Sequence, residues 1–482
     1  MRVWTRGSRT PTERPVPECP VTRVRLFDSP PTGMGAPEGA TGQAEHIARP
    51  RRALAVVIFV VFLDLVGFGI VIPILPYYVR SFGVSDVFIG LLAATYSLAQ
   101  FLAAPVLGRY SDQLGRRPVI MLSLAGGVIA WTLFGYAGQV GDAAGVLAGM
   151  SILFLSRGLA GAMGGNIAAA QAYVADVTPP ERRAGALGLV GASFSLGFIF
   201  GPAIGGFLAS DPVVAWASIL PIPATTFSLP AFGAAGMSLL ALVVAALAMA
   251  EPAGRRPQSE RQTLVGQFRT ALSDTSLRGL VIAFFLVSVA FAGIQVMFIP
   301  FVADATAYRY DASGAALLLT YIGILGAFNQ GILVGRLTTR FGSARLAVSG
   351  ASMLLVALAA IPFAPEIGAL LPPLSGPVWF TRELLALLLV LGLLSLGNGL
   401  LNPSLATLVS QGASSETQGN AFGVTQGAGS LGRTIGPPVA AALYALVYWS
   451  PFVAGAIVVI PVIALMVAIR DGEVASSSSP GS

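Results

Sequence analysis

Polar and apolar positions along this chain do not alternate; they separate into long apolar blocks joined by short stretches rich in Arg, Gly, Pro and Asp. An apolar run of about 20 residues makes a helix long enough to cross the hydrocarbon of a bilayer. Such runs lie at 53–76, 87–107, 118–138, 146–171, 184–208, 232–250, 279–302, 314–336, 345–363, 384–409, 420–447 and 450–469. The pattern predicts an all-α membrane protein of twelve transmembrane helices, with little chain left over. Strands of a membrane β-barrel would be about half as long and would alternate in polarity, so that class is excluded.

The order of the blocks also repeats. SLGFIFGPAIGG, from Ser195 to Gly206, recurs as SLGRTIGPPVAA, from Ser430 to Ala441, with Ser, Leu, Gly, Gly and Pro each displaced by 235 positions. GRYSDQLG from Gly108 recurs as GRLTTRFG from Gly335, displaced by 227. Two correspondences at nearly one offset predict two related six-helix halves, 53–250 and 279–470, an arrangement typical of transporters. Tails at 1–52 and 471–482 flank them, and a polar, basic linker at 251–278 separates them. Within the linker Leu264, Phe268 and Leu272 recur at spacing four beside Arg261 and Arg269. That pattern fits either an amphipathic helix lying on the membrane or a plain linker.

Composition agrees with the blocks: 55% of residues are hydrophobic, 10% are charged, and the mean hydropathy is +0.78. The 28 basic residues are all arginine, so the net charge of +6 reads as compositional bias rather than a nucleic-acid surface. Seventeen arginines flank the side that holds the N-terminus, against Arg80, Arg309 and Arg382 on the other. By the positive-inside rule both termini are cytoplasmic, which needs an even number of helices. The expected location is the bacterial inner membrane, with the chain acting as a monomer. The tail 1–52 lacks a signal-peptide core and is expected to be disordered, and Met34 offers an alternative start. Cys19 and His46, the single cysteine and histidine, both lie there. Thiol chemistry, disulfides and Cys/His metal sites are thereby excluded from the membrane part, and no cofactor is expected.

Three charges nevertheless stand inside apolar runs: Asp64, Arg157 and Arg433. A charge at that depth costs roughly 2.5–3.5 kcal/mol on insertion scales, so it usually faces a water-filled cavity or a partner within the bundle. Asp64 and Arg157 both lie ~15 Å from their helix ends and share a depth. They are the candidate proton-coupling residues; the alternative is a structural ion pair, which rarely stabilises better than apolar packing. Arg433 stands where the repeat has Phe198, so it is a charge acquired by the second half, read either as an anchor for an anionic substrate group or as the partner of a carboxylate. Gln100, Asn166, Gln171, Gln295, Asn329, Gln330, Asn398, Asn402 and Gln426 are candidates for lining a central substrate cavity, with interhelical hydrogen bonding as the alternative role. In segment 5, Gly197, Gly201 and Gly205 share a smooth face, Gly206 adjoins it, and Pro202 removes a backbone hydrogen bond and should bend the helix.

The loop GRYSDQLGRRP, Gly108 to Pro118, resembles the signature loop of the major facilitator superfamily: Gly, three residues, Asp, two residues, Gly, Arg, Arg or Lys. Gly108, Asp112, Gly115, Arg116 and Arg117 occupy its positions. The resemblance implies that Asp112 gates by facing the N-terminal, positive end of segment 11, where Gly419, Gly423 and Gly427 would allow close approach. LDLVGFGIVIPILPYY from Leu63, SRGLAGAMGG from Ser156, GPAIGG from Gly201 and DVTPPERRAGALG from Asp176 are similar to patterns of drug:proton antiporters related to bacterial tetracycline efflux proteins. Asp176 joins the gating motif on this likeness. The fold implied is the major facilitator fold, two pseudo-symmetric six-helix bundles, and the segment 4 and 5 motifs imply proton coupling and antiport. Two departures matter. Thr339 replaces the aspartate and Ser343 the first arginine of the second loop, so the charge relay is expected to be one-sided. The further intramembrane acids and the histidine of tetracycline efflux proteins have no counterpart here, so tetracycline is not taken as the substrate.

The reading is a secondary active transporter that exports small amphipathic compounds in exchange for protons by alternating access. A proton symporter or uniporter for a nutrient or metabolite is the first alternative, and a non-transporting receptor or scaffold the second; without a catalytic cluster or nucleotide-binding loop, an enzyme is not expected. The arginine asymmetry makes topology testable. With Cys19 replaced, single cysteines near Arg182 and Arg261 should be shielded from an impermeant thiol reagent in intact cells, and one near Arg309 should react. Labelling at Arg261 from outside would overturn the orientation.

Overall fold

The computed structural model describes residues 50–164, 166–219, 221–252, 266, 269, 272–304, 308–373, 380–412 and 418–478, all within one compact unit, Arg49–Ser482. Almost every described residue outside short turns is helical. The first bundle comprises α1 (Arg51–Ser81), α2 (Val87–Leu114), α3 (Arg116–Ala144), α4 (Val146–Val177), α5 (Pro180–Leu208) and α6 (Ser228–Ala248). The second comprises α7 (Thr275–Ala303), α8 (Ala312–Phe328, continued by Val334–Phe341), α9 (Ser343–Ala369), α10 (Arg382–Gly412), α11 (Gln418–Leu446) and α12 (Ser450–Ser478). Among the described residues ten helices are long and apolar enough to cross a membrane on those criteria alone. The other two of the twelve are α8, broken by a π turn at Asn329–Leu333, and α11, diluted by glycine, threonine and glutamine.

Proline and glycine explain where the helices bend. A turn at 72–74, around Pro73, interrupts α1 before Leu75–Ser81, and the first part of α4 ends at Met163, capped by Gly164. Pro202 in α5, Pro403 in α10 and Pro437 and Pro438 in α11 each remove an internal hydrogen bond. Of the linker pattern, Leu272 is helical and exposed, while Leu264 and Phe268 fall outside the described residues.

The helices of each bundle pair in the same way. In the first, α1 packs on α5 and α6, α3 on α4 and α6, and α2 on α4. In the second, α7 packs on α11 and α12, α9 on α10 and α12, and α8 on α10. Between bundles, α2 meets α11 and α5 meets α8, which is one contact and its pseudo-symmetric counterpart. The segment 5 glycines serve the α1–α5 pair: a Cβ on Gly201 would stand 2.5 Å from Gly69 Cα, and one on Gly197 would stand 2.8 Å from Leu65 Cβ. Their repeat equivalents Gly436 and Gly432 lie equally close to the α7 backbone at Val289 and Phe285. Small residues thus let backbones touch where a membrane supplies no hydrophobic drive for association.

The core shows which ends of the bundles meet. One apolar cluster runs continuously from Ile70, Ile89 and Leu92 into Ile294, Met297 and Phe301, joining the bundles at the end away from the signature loop. A second, around Val57, Leu124, Tyr173 and Val174, belongs to the first bundle alone and lies at the signature-loop end. Gly90 presses on Pro437 and Ala441, Gly206 on Ala316, and Tyr77 Oη donates to the Tyr310 carbonyl at 2.6 Å, so the far end is closed. Toward the signature loop, Gly108, Gly188, Gly191, Gly335 and Gly423 have open space beside them.

Two glycines separate packing from gating. Gly201→Val should lower thermal stability, at an overpacking cost of about 1–3 kcal/mol. Gly90→Val should spare the bundles but disfavour the closed end, raising thiol labelling of a cysteine placed at Tyr310. Unchanged labelling would show that the α2–α11 contact does not hold that end shut.

Candidate functional site

At the signature loop, α2 hands over to α3 through Gly115, whose φ of +114° favours glycine. A Cβ there would also stand 2.6 Å from Glu251 Oε1. The Glu251 carboxylate accepts from the backbone N–H groups of Arg116 (2.6 Å) and Arg117 (2.9 Å), sitting on the positive end of α3. Arg117 Nη2 in turn donates to the Ala246 carbonyl at 2.7 Å, near the negative end of α6. The Arg116 guanidinium bridges two acids, Asp112 at 2.5 Å and Asp176 of α4 at 3.1 Å, and also donates to Ser111 Oγ at 3.1 Å. Gly108, one turn before Asp112, has open space beside it. Asp112, Arg116, Arg117 and Asp176 therefore join α2, α3, α4 and α6 into one polar knot. Glu251 was not anticipated from sequence, where it reads as the first linker residue; its signal is the acid immediately after an apolar helix end.

Among the described residues the second loop has no such knot. Thr339 Oγ1 donates to its own helix at the Arg336 carbonyl, 2.9 Å away, and Arg340 lies over the Phe341 ring at 5.4 Å.

In the membrane interior the Arg157 guanidinium is enclosed by rings: 4.7 Å from the Tyr96 centroid, 5.8 Å from Trp131 and 6.0 Å from Phe68. Its residue is only 6% exposed and its Nε has no hydrogen-bond partner. Tyr96 lies within electrostatic range of Asp64 of α1, Arg157 of α4 and Arg433 of α11. Nothing in the sequence spacing of these aromatic residues marks them as a cage.

Beside this cluster lies a cavity of about 450 Å³ between α5, α7, α8 and α10. Phe194, Phe198, Phe291 and Phe298 give it an aromatic wall, and Gln295, Gln330 and Asn398 supply polar groups. The π turn of α8 contains Asn329 and Gln330, and such turns recur at functional sites. Asn329 is buried against Gly399, while Gln330 accepts from Ser195 Oγ of α5 at 3.3 Å. Asn402 donates to Asn398 Oδ1 at 2.6 Å. Gln100 instead donates to the Gly164 carbonyl at 3.2 Å, tying α2 to the break in α4. Gln171 and Gln426 are exposed, and the side chain of Asn166 falls outside the described set. Gly197, Gly201, Pro202 and Gly205 are buried in the first bundle, with Gly206 at the α5–α8 contact.

A family model described as Major Facilitator Superfamily matches residues 57–381. The chain belongs to the major facilitator superfamily. It is 31% identical over 403 residues to the class C tetracycline resistance protein of Escherichia coli, covering 82% of this chain and 91% of that one. It is 29% identical over 403 residues to multidrug resistance protein 1 of Bacillus subtilis strain 168, covering 83% and 91%. The solved human organic anion transporter MFSD10 (TETRAN) matches with a TM-score of 0.62 at 24% identity, over 86% of this chain and all but a small part of its own. At that identity the likeness shows the fold alone. This superfamily member is a multi-pass membrane transporter, not an enzyme.

The superfamily's signature loop is thus fully furnished in one bundle only. Asp112→Asn should leave the protein inserted but impair transport several-fold, and Glu251→Gln should do the same by freeing the α3 end. Thr339→Ala should change transport little. Equal defects in all three, measured as initial rates in proteoliposomes, would contradict the asymmetry.

Proposed function

We propose that this transporter exports small amphipathic compounds in exchange for protons, working by alternating access. The arginine-rich, signature-loop side is taken as cytoplasmic, so the conformation described is the one that loads from inside. The observation that carries the reading is a guanidinium, Arg157, enclosed by aromatic rings in the membrane interior beside an aromatic-walled cavity. Tetracycline and multidrug resistance proteins among its relatives support an efflux role.

Asp64 is the proton carrier in this reading. A carboxylate is tolerated while an open vestibule hydrates it and costs several kcal/mol in a dry, closed one. The closed intermediate is therefore reached with Asp64 either protonated or countered by a positive group on the substrate. Those two states exclude each other, which is the condition for exchange: a proton enters in one half-cycle and the compound leaves in the other. Arg157, fixed in its aromatic cage, keeps a positive charge beside the exchange at every stage. Gln330, Asn398 and Gln295 orient the substrate's polar groups, and the phenylalanine wall takes its apolar body.

Asp64→Asn should abolish proton-driven substrate movement while leaving counterflow measurable, and Asp64→Glu should retain part of the coupled rate. Proton and substrate fluxes recorded together in proteoliposomes check this. Undiminished coupled transport by Asp64→Asn would remove Asp64 from the mechanism, and substrate moving with the proton would instead favour symport.

A further inference from the structure

Arg433 is a charge that the internal repeat does not account for. Its counterpart Phe198 lines the cavity, so the equivalent position in α11 has exchanged a ring for a guanidinium. The side chain runs back along its own helix, as helical side chains do. Nη2 donates to Ser430 Oγ at 2.8 Å, and Nη1 passes Gly429, where a Cβ would stand 3.4 Å away. The start of α11 lies on the signature-loop side, so the head of Arg433 is turned toward the open mouth. Ser288 of α7 faces the same spot, its Oγ 3.2 Å from that Cβ position. Three and seven residues beyond Ser288, on one helix face, come Phe291 and Gln295, both of which line the cavity. From the other bundle, Tyr96 lies in electrostatic reach of Arg433 and its ring packs tilted at 5.2 Å from Phe68, which meets Phe198 edge-on at 6.5 Å. Arg433 and the cavity thus share one wall.

Among the described residues no carboxylate forms an ion pair with Arg433. A guanidinium has five N–H donors in a planar fork, and Ser430 takes one of them. A charged group inside a membrane protein usually carries a counter-charge or water, and the planar fork matches a carboxylate in two-point contact. We propose that Arg433 anchors an acidic group of the transported compound, so that the substrate class is the amphipathic zwitterion. Its cationic group engages Asp64, its carboxylate pairs with Arg433, and its aromatic body lies against Phe198, Phe291 and Phe298. The bound acid neutralises the guanidinium as the bundles close around it. The cationic half of this assignment rests on the reading of Asp64 given above; the acidic half rests on Arg433 alone.

The test uses a matched pair of fluorescent probes, ciprofloxacin, a zwitterion with a free carboxylate, and its methyl ester, a cation. Binding to the purified full-length protein is followed by fluorescence anisotropy at one pH with no gradient, so coupling plays no part. The wild type should bind the acid about tenfold more tightly than the ester or better. Arg433→Gln and Arg433→Phe should lose that preference while still binding the ester, and Arg433→Lys should keep part of it. The phenylalanine variant restores the residue that the other half carries, and so guards against a loss caused by misfolding. A wild type that shows no preference, including one that binds neither probe, overturns the proposal, as does a preference that survives in both variants. Asp64→Asn should keep the preference for the acid. If that variant also transports normally, the proton-carrier reading falls and the role of Arg433 stands.

Discussion

A guanidinium held away from water by three aromatic rings is the contact around which the first bundle is organised. Arg157 is 6% exposed, and a bare charge so enclosed would be prohibitive. Ring faces replace water as the environment, at about 2 kcal/mol or more per desolvated cation–π contact. The cage requires four helices to come close. Gly161 of α4 lies against the Tyr96 backbone, where any Cβ would overlap the carbonyl, so α2 and α4 are drawn together there. Ser156 Oγ donates to the Ala130 carbonyl at 2.8 Å, setting α3 and hence Trp131 on the other side. Phe68 comes from α1, whose path is fixed by Gly69 against Gly201. Shifting any of these helices by a side chain's width would strip a ring from the charge.

Pseudo-symmetry is kept in the scaffold and broken in the chemistry. Helix pairings and close glycine contacts recur in both bundles because both solve one packing problem, the approach of α1 to α5 and of α7 to α11. The charges do not recur. Arg433 replaces Phe198, Thr339 replaces Asp112, and the aromatic cage exists in the first bundle. A symmetric scaffold rocks between two equivalent openings, whereas an asymmetric set of charges gives the two openings different energies. Directional exchange requires the second property as much as the first.

Much of the architecture was legible in the sequence because hydrocarbon imposes a length and a periodicity that a single chain displays. All twelve blocks correspond to helices, and the offset between SLGFIFGPAIGG and SLGRTIGPPVAA announces the two bundles. The boundaries moved where local geometry decides them: α8 runs on through a π turn to Phe341, and the first part of α4 ends at Met163. Of the site, the signature loop was legible because its spacing is fixed by a tight turn at Gly115. The depth of Asp64 and Arg157 could be counted, but the rings around Arg157 could not, since Phe68, Tyr96 and Trp131 are indistinguishable in sequence from lipid-facing or core aromatics. Glu251 was hidden for a related reason: its partners are backbone amides, which leave no trace in residue identity.

The two ends of the molecule close by different physics. Away from the signature loop the seal is made of Gly90 against Pro437, Gly206 against Ala316 and a continuous apolar core, contacts that are short-ranged and indifferent to salt. At the signature loop the groups available are charges, with Asp112, Arg116 and Asp176 side chains between 17% and 33% exposed. Ion pairs so exposed contribute about 0–1 kcal/mol each and are screened by salt. That weakness suits a gate. A transporter whose two states differ by a few kcal/mol can be shifted by one proton or one bound molecule, whereas a deep ion pair on the loop would lock the signature-loop side and leave the central charges nothing to decide.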